Sequence, residues 1–159
     1  MYSSIPTEVN TKILEVSSTA FKPFTFIPEQ YTCDGRNVPP ELSIHNLPFE
    51  TKCLAIIVDD PDGPVGTWTH WMAWNIPPKN YIKLNKVKGR QGINDFGMYK
   101  YCGPCPPKGT HHYHFKVYAL DHFLLSLNAN CTKHQLEKAM SNHIIGFGEL
   151  IGLYKSIKK

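Results

Sequence analysis

Short extended segments separated by proline- and glycine-rich loops constrain this chain most, because they leave little room for helices. The segment TKCLAIIVDD is an apolar run that ends at acidic residues, and it predicts a buried strand. TWTHWMAWNIP is rich in aromatic residues and ends at a proline, which also predicts a strand. Three more strands are predicted over KILEVSSTAF, YHFKVYALD and GFGELIGLYK. Thirteen prolines and eleven glycines favour turns between these segments.

A single convincing helix is predicted over TKHQLEKAMSNH. Thr132 followed by Gln135 matches a capping box, which satisfies the first free backbone donors of a helix. One mostly apolar face follows at helical spacing, formed by Leu136, Ala139, Met140 and His143. Several strands and one late helix predict a mainly β protein, an antiparallel β-sandwich with one or two short helices, in a single domain over residues 1–159.

Charge and cysteine content narrow the function classes. The formal net charge of +4 comes from scattered lysines, whereas nucleic-acid-binding proteins usually carry a dense basic stripe, so no nucleic-acid partner is expected. No window approaches the roughly 18 apolar residues of a membrane span. The N-terminus lacks a signal-peptide pattern, which favours a cytoplasmic location. Five cysteines are an odd number, and in a cytoplasm all five are expected to be free thiols.

A proline-fixed acidic turn precedes a tryptophan-rich strand in DDPDGPVGTWTHWMAWNIP. Strict alternation would place Trp68, His70, Met72 and Trp74 on one face of that strand. A carboxylate from the turn beside His70 would orient the imidazole ring and favour its charged form. The alternative is a core histidine whose ring hydrogen-bonds a backbone carbonyl, and the carboxylates then only cap the turn.

The second cluster is PPKGTHHYHFKVYALD. Alternation puts His111 and Tyr113 on one face of a strand, and His112 and His114 on the other. A histidine beside a phenol, behind a rigid proline pair, suits an anion site because both side chains donate hydrogen bonds. Ordinary strand packing explains the same pattern.

The cysteines of CGPC, Cys102 and Cys105, match the motif of thiol–disulfide oxidoreductases. That chemistry favours a cysteine at a helix N-terminus, and the prolines that follow disfavour a helix here. A zinc site from Cys102, Cys105, His112 and His114 is conceivable by ligand type but poorly placed on a strand. Neither a metal nor a cofactor is therefore predicted.

The chain resembles the phosphatidylethanolamine-binding protein family, also called Raf kinase inhibitor-like, in its short bacterial and archaeal form. DPDGPVGTWTHWMAWNIP and GPCPPKGTHHYHFKVYAL are similar to the two family signatures, and YTCDGRNVPPELS and LEKAMSNHIIGFGELIGLYK are similar to other family segments. The resemblance implies a β-sandwich with a pocket for phosphate-type anions and phospholipid head groups. It assigns to that pocket Asp60, Asp62, Trp68, His70, Pro106, Pro107, His111 and Tyr113.

The function implied is binding rather than catalysis. The expected ligand is a small phosphate-type anion, a phosphorylated metabolite or a phospholipid head group. The alternative is a protein-interaction module that inhibits a kinase or a protease, and a hydrolase is less favoured because no activated nucleophile accompanies the histidines. Short relatives suggest a homodimer. The resemblance also suggests a cis bond between Gly63 and Pro64, and His112 stands where the family usually has arginine.

Overall fold

The computed structural model describes residues 11–156. The strands are β1 (Lys12–Ile13), β2 (Glu15–Ser17), β3 (Leu42–His45), β4 (Cys53–Asp60), β5 (Trp68–Ile76), β6 (Tyr81–Ile82), β7 (Arg90–Gln91), β8 (Thr110–Leu120) and β9 (Ile144–Lys155). The helix α1 spans Lys133–Met140, and short 3₁₀ turns cover Glu29–Tyr31 and Leu84–Lys86. The prediction of a mainly β fold is confirmed.

The strands form two sheets. The larger has the strand order β1-β9-β8-β4-β5-β7, and the smaller has the order β2-β3-β6. All pairings are antiparallel except that of β1 with β9. The predicted N-terminal strand is divided, because β1 joins the large sheet while β2 joins the small one.

The large sheet is covered on both faces, which explains why β4 is apolar along most of its length. One core cluster joins Ile56 and Val58 of β4 to Leu42 and Ile44 of the small sheet. The other cluster lies on the opposite face, where Ile57 packs in one cluster with helix residues. All eight residues of β4 are buried, so a strict alternation of polar and apolar residues is not expected there.

The predicted capping box of α1 is confirmed. The Thr132 hydroxyl accepts from the Gln135 amide, and the Gln135 side chain accepts from the Thr132 amide. Leu136 and Met140 are buried against the large sheet. His143 lies beyond the end of the helix and directly before β9. The residues on either side of this inserted helix are therefore brought to one end of the β8–β9 pair.

Candidate functional site

Asp60, the last residue of β4, anchors both the acidic turn and a histidine. Its Oδ2 accepts a hydrogen bond from His111 Nδ1 at 2.6 Å, and its Oδ1 accepts from the Asp62 amide at 2.8 Å. Asp60 and His111 are 4% and 8% exposed. Because Nδ1 carries the proton that the carboxylate accepts, the orientation of the ring is set and Nε2 is the remaining ring nitrogen.

His70 is held by a backbone carbonyl and not by a carboxylate. Its Nδ1 donates to the Cys102 carbonyl at 2.6 Å, which fixes the Nδ1-protonated tautomer of the neutral ring. Burial lowers the pKa of His70, although the Cys102 carbonyl and the charge of Asp60 oppose that shift. The prediction of a carboxylate that orients His70 is therefore wrong, since Asp60 binds His111 instead. The alternative of a buried histidine bonded to a backbone carbonyl describes this ring.

A β-bulge places His70 in the site. Val58 pairs with Trp71 whereas Asp59 pairs with Thr69, so His70 is the extra residue of β5. His70 contacts Tyr113 in the core cluster that also contains Trp71, whereas Met72 and Trp74 belong to the cluster on the helix side. The expected common face of Trp68, His70, Met72 and Trp74 is wrong, because the bulge breaks the alternation.

The site contains a row of aromatic rings from three segments. His70 lies edge-on to Tyr113 with ring centroids 5.3 Å apart, and Tyr113 stacks with His111 at 6.4 Å. On the other side, Phe96 contacts His70 at 5.2 Å and Trp68 at 5.6 Å. The predicted common face of His111 and Tyr113 is confirmed. The structure thus gathers the histidines of both signatures around Tyr113.

Two buried donors of this row have no hydrogen-bond partner. They are Trp68 Nε1 and the Tyr113 hydroxyl. Burial and the nearby Asp60 carboxylate raise the pKa of Tyr113, so its hydroxyl stays protonated at neutral pH. The Asp60 side chain and the Cys105 backbone lie near enough to affect this pKa, yet neither meets the geometry of a hydrogen bond. Buried donors without partners are uncommon, and they indicate a place for an acceptor.

Asp62 lies on the exposed side of the turn, and its partner is His112. Asp62 Oδ2 accepts from the His112 amide at 2.8 Å and from His112 Nδ1 at 2.7 Å. Burial acts to raise the pKa of Asp62, but the His112 hydrogen bonds prevail and hold it below its ordinary value. Asp62 thus ties the acidic turn to the start of β8 on the exposed side of the site. It makes no hydrogen bond to the rings of His70, His111 or Tyr113 among the described contacts.

The loop before β8 supplies the carbonyl that holds His70. Residues 101–106 are irregular, so no helix begins at the CGPC motif. Pro106 is buried and Pro107 exposed. Their predicted role as the wall of the pocket stays a prediction. The expected cis bond at Pro64 is wrong, because residues 11–156 contain no cis peptide.

A disulfide joins Cys33 to Cys105. The prediction of five free thiols is therefore wrong, and Cys53, Cys102 and Cys131 are the free cysteines. The zinc site considered from Cys102, Cys105, His112 and His114 is not formed either, because Cys105 is in the disulfide and has no thiolate to bind a metal. The CGPC motif does not pair within itself. Cys105 is instead joined to Cys33, which lies in the loop between β2 and β3. The spacing of the cysteines in the sequence does not predict this pairing.

Asn94 is a site residue that the sequence reasoning missed. Its Nδ2 donates to the His70 carbonyl at 3.1 Å and to the Lys100 carbonyl at 2.8 Å. Its Oδ1 accepts from the amides of Phe96 and Met98. Asn94 thereby fixes the loop that places Phe96 against Trp68 and His70. The turn-forming sequence NDFG was the available signal, because asparagine and glycine favour such loops.

Comparisons with known proteins decide the family. The family model described as phosphatidylethanolamine-binding protein matches residues 17–155. The chain belongs to the phosphatidylethanolamine-binding protein family. A UPF0098 protein of Pyrococcus abyssi is 52% identical over 149 residues, which cover 87% of this chain and 83% of that protein.

Two solved structures of known proteins have the same fold as this chain. A phosphatidylethanolamine-binding protein homologue of Chlamydia trachomatis is 39% identical with a TM-score of 0.85, covering 92% of this chain and 99% of that one. YbcL of E. coli, described as a member of the mammalian family, is 30% identical with a TM-score of 0.81 and covers 90% and 98%. These likenesses extend over most of both chains, so they concern the whole fold and not a single motif.

Proposed function

We propose that this protein binds a phosphate-type anion, without catalysis, at the row of rings formed by Trp68, His70, Tyr113 and His111. One observation carries the proposal: Trp68 Nε1 and the Tyr113 hydroxyl are buried donors without partners. They lie in the same row as His70 and His111, whose Nδ1 atoms already donate to groups of the protein. Trp74 Nε1 also lacks a partner, but it lies in the core cluster on the opposite face of the sheet.

A phosphate group suits this set of donors because its several oxygens accept hydrogen bonds from different directions. Trp68 can only donate, and the protonated Tyr113 hydroxyl can donate to an anion. The Nε2 atoms of His70 and His111 become donors when the rings are protonated. Asp60 adds a negative charge, so its pairing with a protonated His111 would leave that charge compensated beside the ligand.

Titration calorimetry with inorganic phosphate and with phosphoethanolamine tests the proposal. His70→Ala and His111→Ala should each remove a charge-assisted bond of about 1.5–3 kcal/mol, which corresponds to a roughly ten- to hundredfold loss of affinity. Trp68→Phe and Tyr113→Phe delete one donor each and keep the ring, so they should also weaken binding.

Two control variants separate the site from its surroundings. His112→Ala changes an exposed histidine that is paired with Asp62, and it should leave affinity unchanged. Trp74→Phe removes an unpartnered indole donor of the same chemistry on the other face of the sheet. If Trp74→Phe weakens binding as much as Trp68→Phe does, the proposed site is wrong.

The pH dependence of binding follows from the lowered pKa of His70. In the free protein the ring is neutral at physiological pH, so binding through a protonated Nε2 requires uptake of a proton. A bound anion raises this pKa, because an opposite charge favours the charged form. Affinity should therefore fall as pH rises from the lowered pKa of the free protein to the raised pKa of the complex. Binding that is equally tight across this window would contradict a role for protonated His70.

The second candidate function is protein interaction. Large apolar side chains are exposed close in sequence to the ring row: Val65 in the turn before β5, and Phe96, Met98 and Tyr99 in the loop after β7. Exposed apolar side chains of this kind favour contact with a partner such as a kinase or a protease. An affinity pull-down that survives His70→Ala but is lost in Phe96→Ser would favour this function over anion binding alone.

The non-catalytic character remains part of the proposal. Among residues 11–156, neither His70 nor His111 is hydrogen-bonded to a hydroxyl or thiol that could act as a nucleophile.

No described helix is long and apolar enough to cross a membrane. A cytoplasmic location and a homodimer stay predictions, to be checked by cell fractionation and analytical ultracentrifugation. The disulfide weighs against a cytoplasmic location, because disulfides are rare in the cytoplasm.

A further inference from the structure

Three potential metal ligands lie where β8 ends and β9 begins, at the opposite end of β8 from His111. Asp121 and His122 directly follow β8, and His143 directly precedes β9. The segment between them carries α1, yet the strands bring its two ends together where Leu120 pairs with Ile144. The Asp121 amide donates to the His143 carbonyl at 3.0 Å, which extends the ladder by one bond.

The side chains of this trio converge. Asp121 Oδ1 lies 3.3 Å from His122 Nδ1 and 3.0 Å from His143 Nδ1. The two imidazole rings are 4.5 Å apart between centroids, with an angle of 36° between their planes. One ligand atom from each residue lies within 4.8 Å of the others. For a tetrahedral zinc ion with bonds of about 2.0–2.1 Å, neighbouring ligand atoms are roughly 3.3 Å apart. The two distances from Asp121 Oδ1 to the ring nitrogens are close to that spacing.

We propose that Asp121, His122 and His143 form a binding site for a divalent transition-metal ion of the zinc type. Two imidazole nitrogens and one carboxylate oxygen are the ligands that zinc and its neighbours prefer, whereas calcium and magnesium prefer oxygen alone. The metal replaces the hydrogens that both rings now direct at one carboxylate oxygen. A ring that binds the metal through Nδ1 carries its proton on Nε2.

The backbone of each ligand is already fixed, which lowers the cost of assembling the site. The His143 amide donates to the Met140 carbonyl at 2.8 Å, and its carbonyl accepts from Asp121. The His122 carbonyl accepts from the buried thiol of Cys53 at 3.3 Å. The side chains of His122, Asp121 and His143 are 68%, 41% and 34% exposed, which leaves access for the ion and for a solvent ligand. A bound metal would hold together the end of β8 and the start of β9.

Titration calorimetry of the full chain with Zn²⁺ tests the site. One saturable site is expected, and Asp121→Asn, His122→Ala and His143→Ala should each weaken it by at least about tenfold, since even outer-sphere changes cost metal sites 10–100-fold. Substitution by Co²⁺ gives a second measurement, because its visible absorption reports the coordination geometry. Zn²⁺ should also raise the melting temperature, since the ion binds the folded chain.

His114→Ala is the matched control. His114 also pairs with a carboxylate, Glu149 Oε1 at 2.9 Å, but it has no second histidine in that pair. This variant should keep the zinc affinity of the natural chain. His122→Ala keeps the test decisive if another variant fails to fold, because this side chain is largely exposed. Absence of saturable binding, or binding that the three ligand variants leave unchanged, would overturn the proposal.

Discussion

At the residue scale, each histidine of the proposed anion site is oriented by the group that its Nδ1 contacts. His111 is oriented by the buried carboxylate of Asp60, and His70 by a peptide carbonyl. The two rings face the same tyrosine, yet they differ electrostatically. His111 shares its proton with an acid, whereas His70 has a lowered pKa because burial disfavours its charged form.

Burial of neutral His70 should make stability depend on pH. In the unfolded chain the ring titrates near ~6.5. Because the folded pKa is lower, the unfolded state binds more protons as pH falls below about 6.5, and the free energy of unfolding decreases by up to ~1.4 kcal/mol per pH unit. The contribution is fully present above the unfolded pKa. It declines until the pH reaches the folded pKa.

Urea unfolding of the natural chain and of His70→Asn between pH 5 and 8 measures this effect. Asparagine can still donate to the Cys102 carbonyl but does not titrate, so the variant should show a flatter profile in that window. His134→Asn, at an exposed position of α1, serves as the control and should follow the natural chain. Equal slopes for the natural chain and His70→Asn would show that His70 is not the group responsible.

At the element scale, Asp59 of β4 connects the large sheet to α1. Its carboxylate is 2% exposed, and one oxygen accepts from Lys116 and from Lys133, each at 3.1 Å. Lys116 lies on β8, and Lys133 is the first residue of α1. The bulge beside Asp59 shifts the register of β5 at this level of the sheet.

Asp59→Asn should destabilise the protein, because it leaves two lysines beside a buried position without their shared anion. Breaking a fully buried pair costs about 3–5 kcal/mol, and we expect roughly 2–3 kcal/mol here since both lysines retain some exposure. Lys133→Gln should cost less, because Lys116 still compensates Asp59. Chemical denaturation gives both values. A larger loss for Lys133→Gln than for Asp59→Asn would contradict this account.

The strands and the capped helix were predictable from sequence, because periodicity and capping are local signals. The faces of β8 also followed from alternation, since this strand pairs with β4 without interruption from Cys53 to Asp59. The face of β5 did not, because a bulge has no mark in the residues themselves. The partner of Asp60 was equally unpredictable from the sequence. Asp60 is close to His70 along the chain, but it bonds His111, 51 residues away.

At the scale of the whole molecule, the loop between β2 and β3 and the loop between β7 and β8 are joined by several hydrogen bonds. The Cys33 amide donates to the Pro104 carbonyl, the Gly103 amide to Asn37 Oδ1, and the Tyr101 hydroxyl to the Tyr31 carbonyl. A side chain at Gly103 would overlap the backbone of Tyr31. Since residue 102 supplies the carbonyl for His70, these two loops hold part of the proposed anion site in place.

The disulfide between these loops should contribute substantially to stability. It closes a sequence separation of 72 residues, for which the chain-entropy relation gives about 4 kcal/mol. Cys33→Ala with Cys105→Ala should therefore lower the melting temperature, and addition of a reductant should then have little further effect. Thiol titration of the denatured, unreduced chain should count three thiols, from Cys53, Cys102 and Cys131.

The variant with both cysteines replaced should also bind phosphate more weakly, because the loop that orients His70 loses its covalent link to the loop between β2 and β3. A count of five thiols before reduction would contradict the disulfide itself, whereas unchanged phosphate binding would show that the hydrogen bonds alone hold the loop in place.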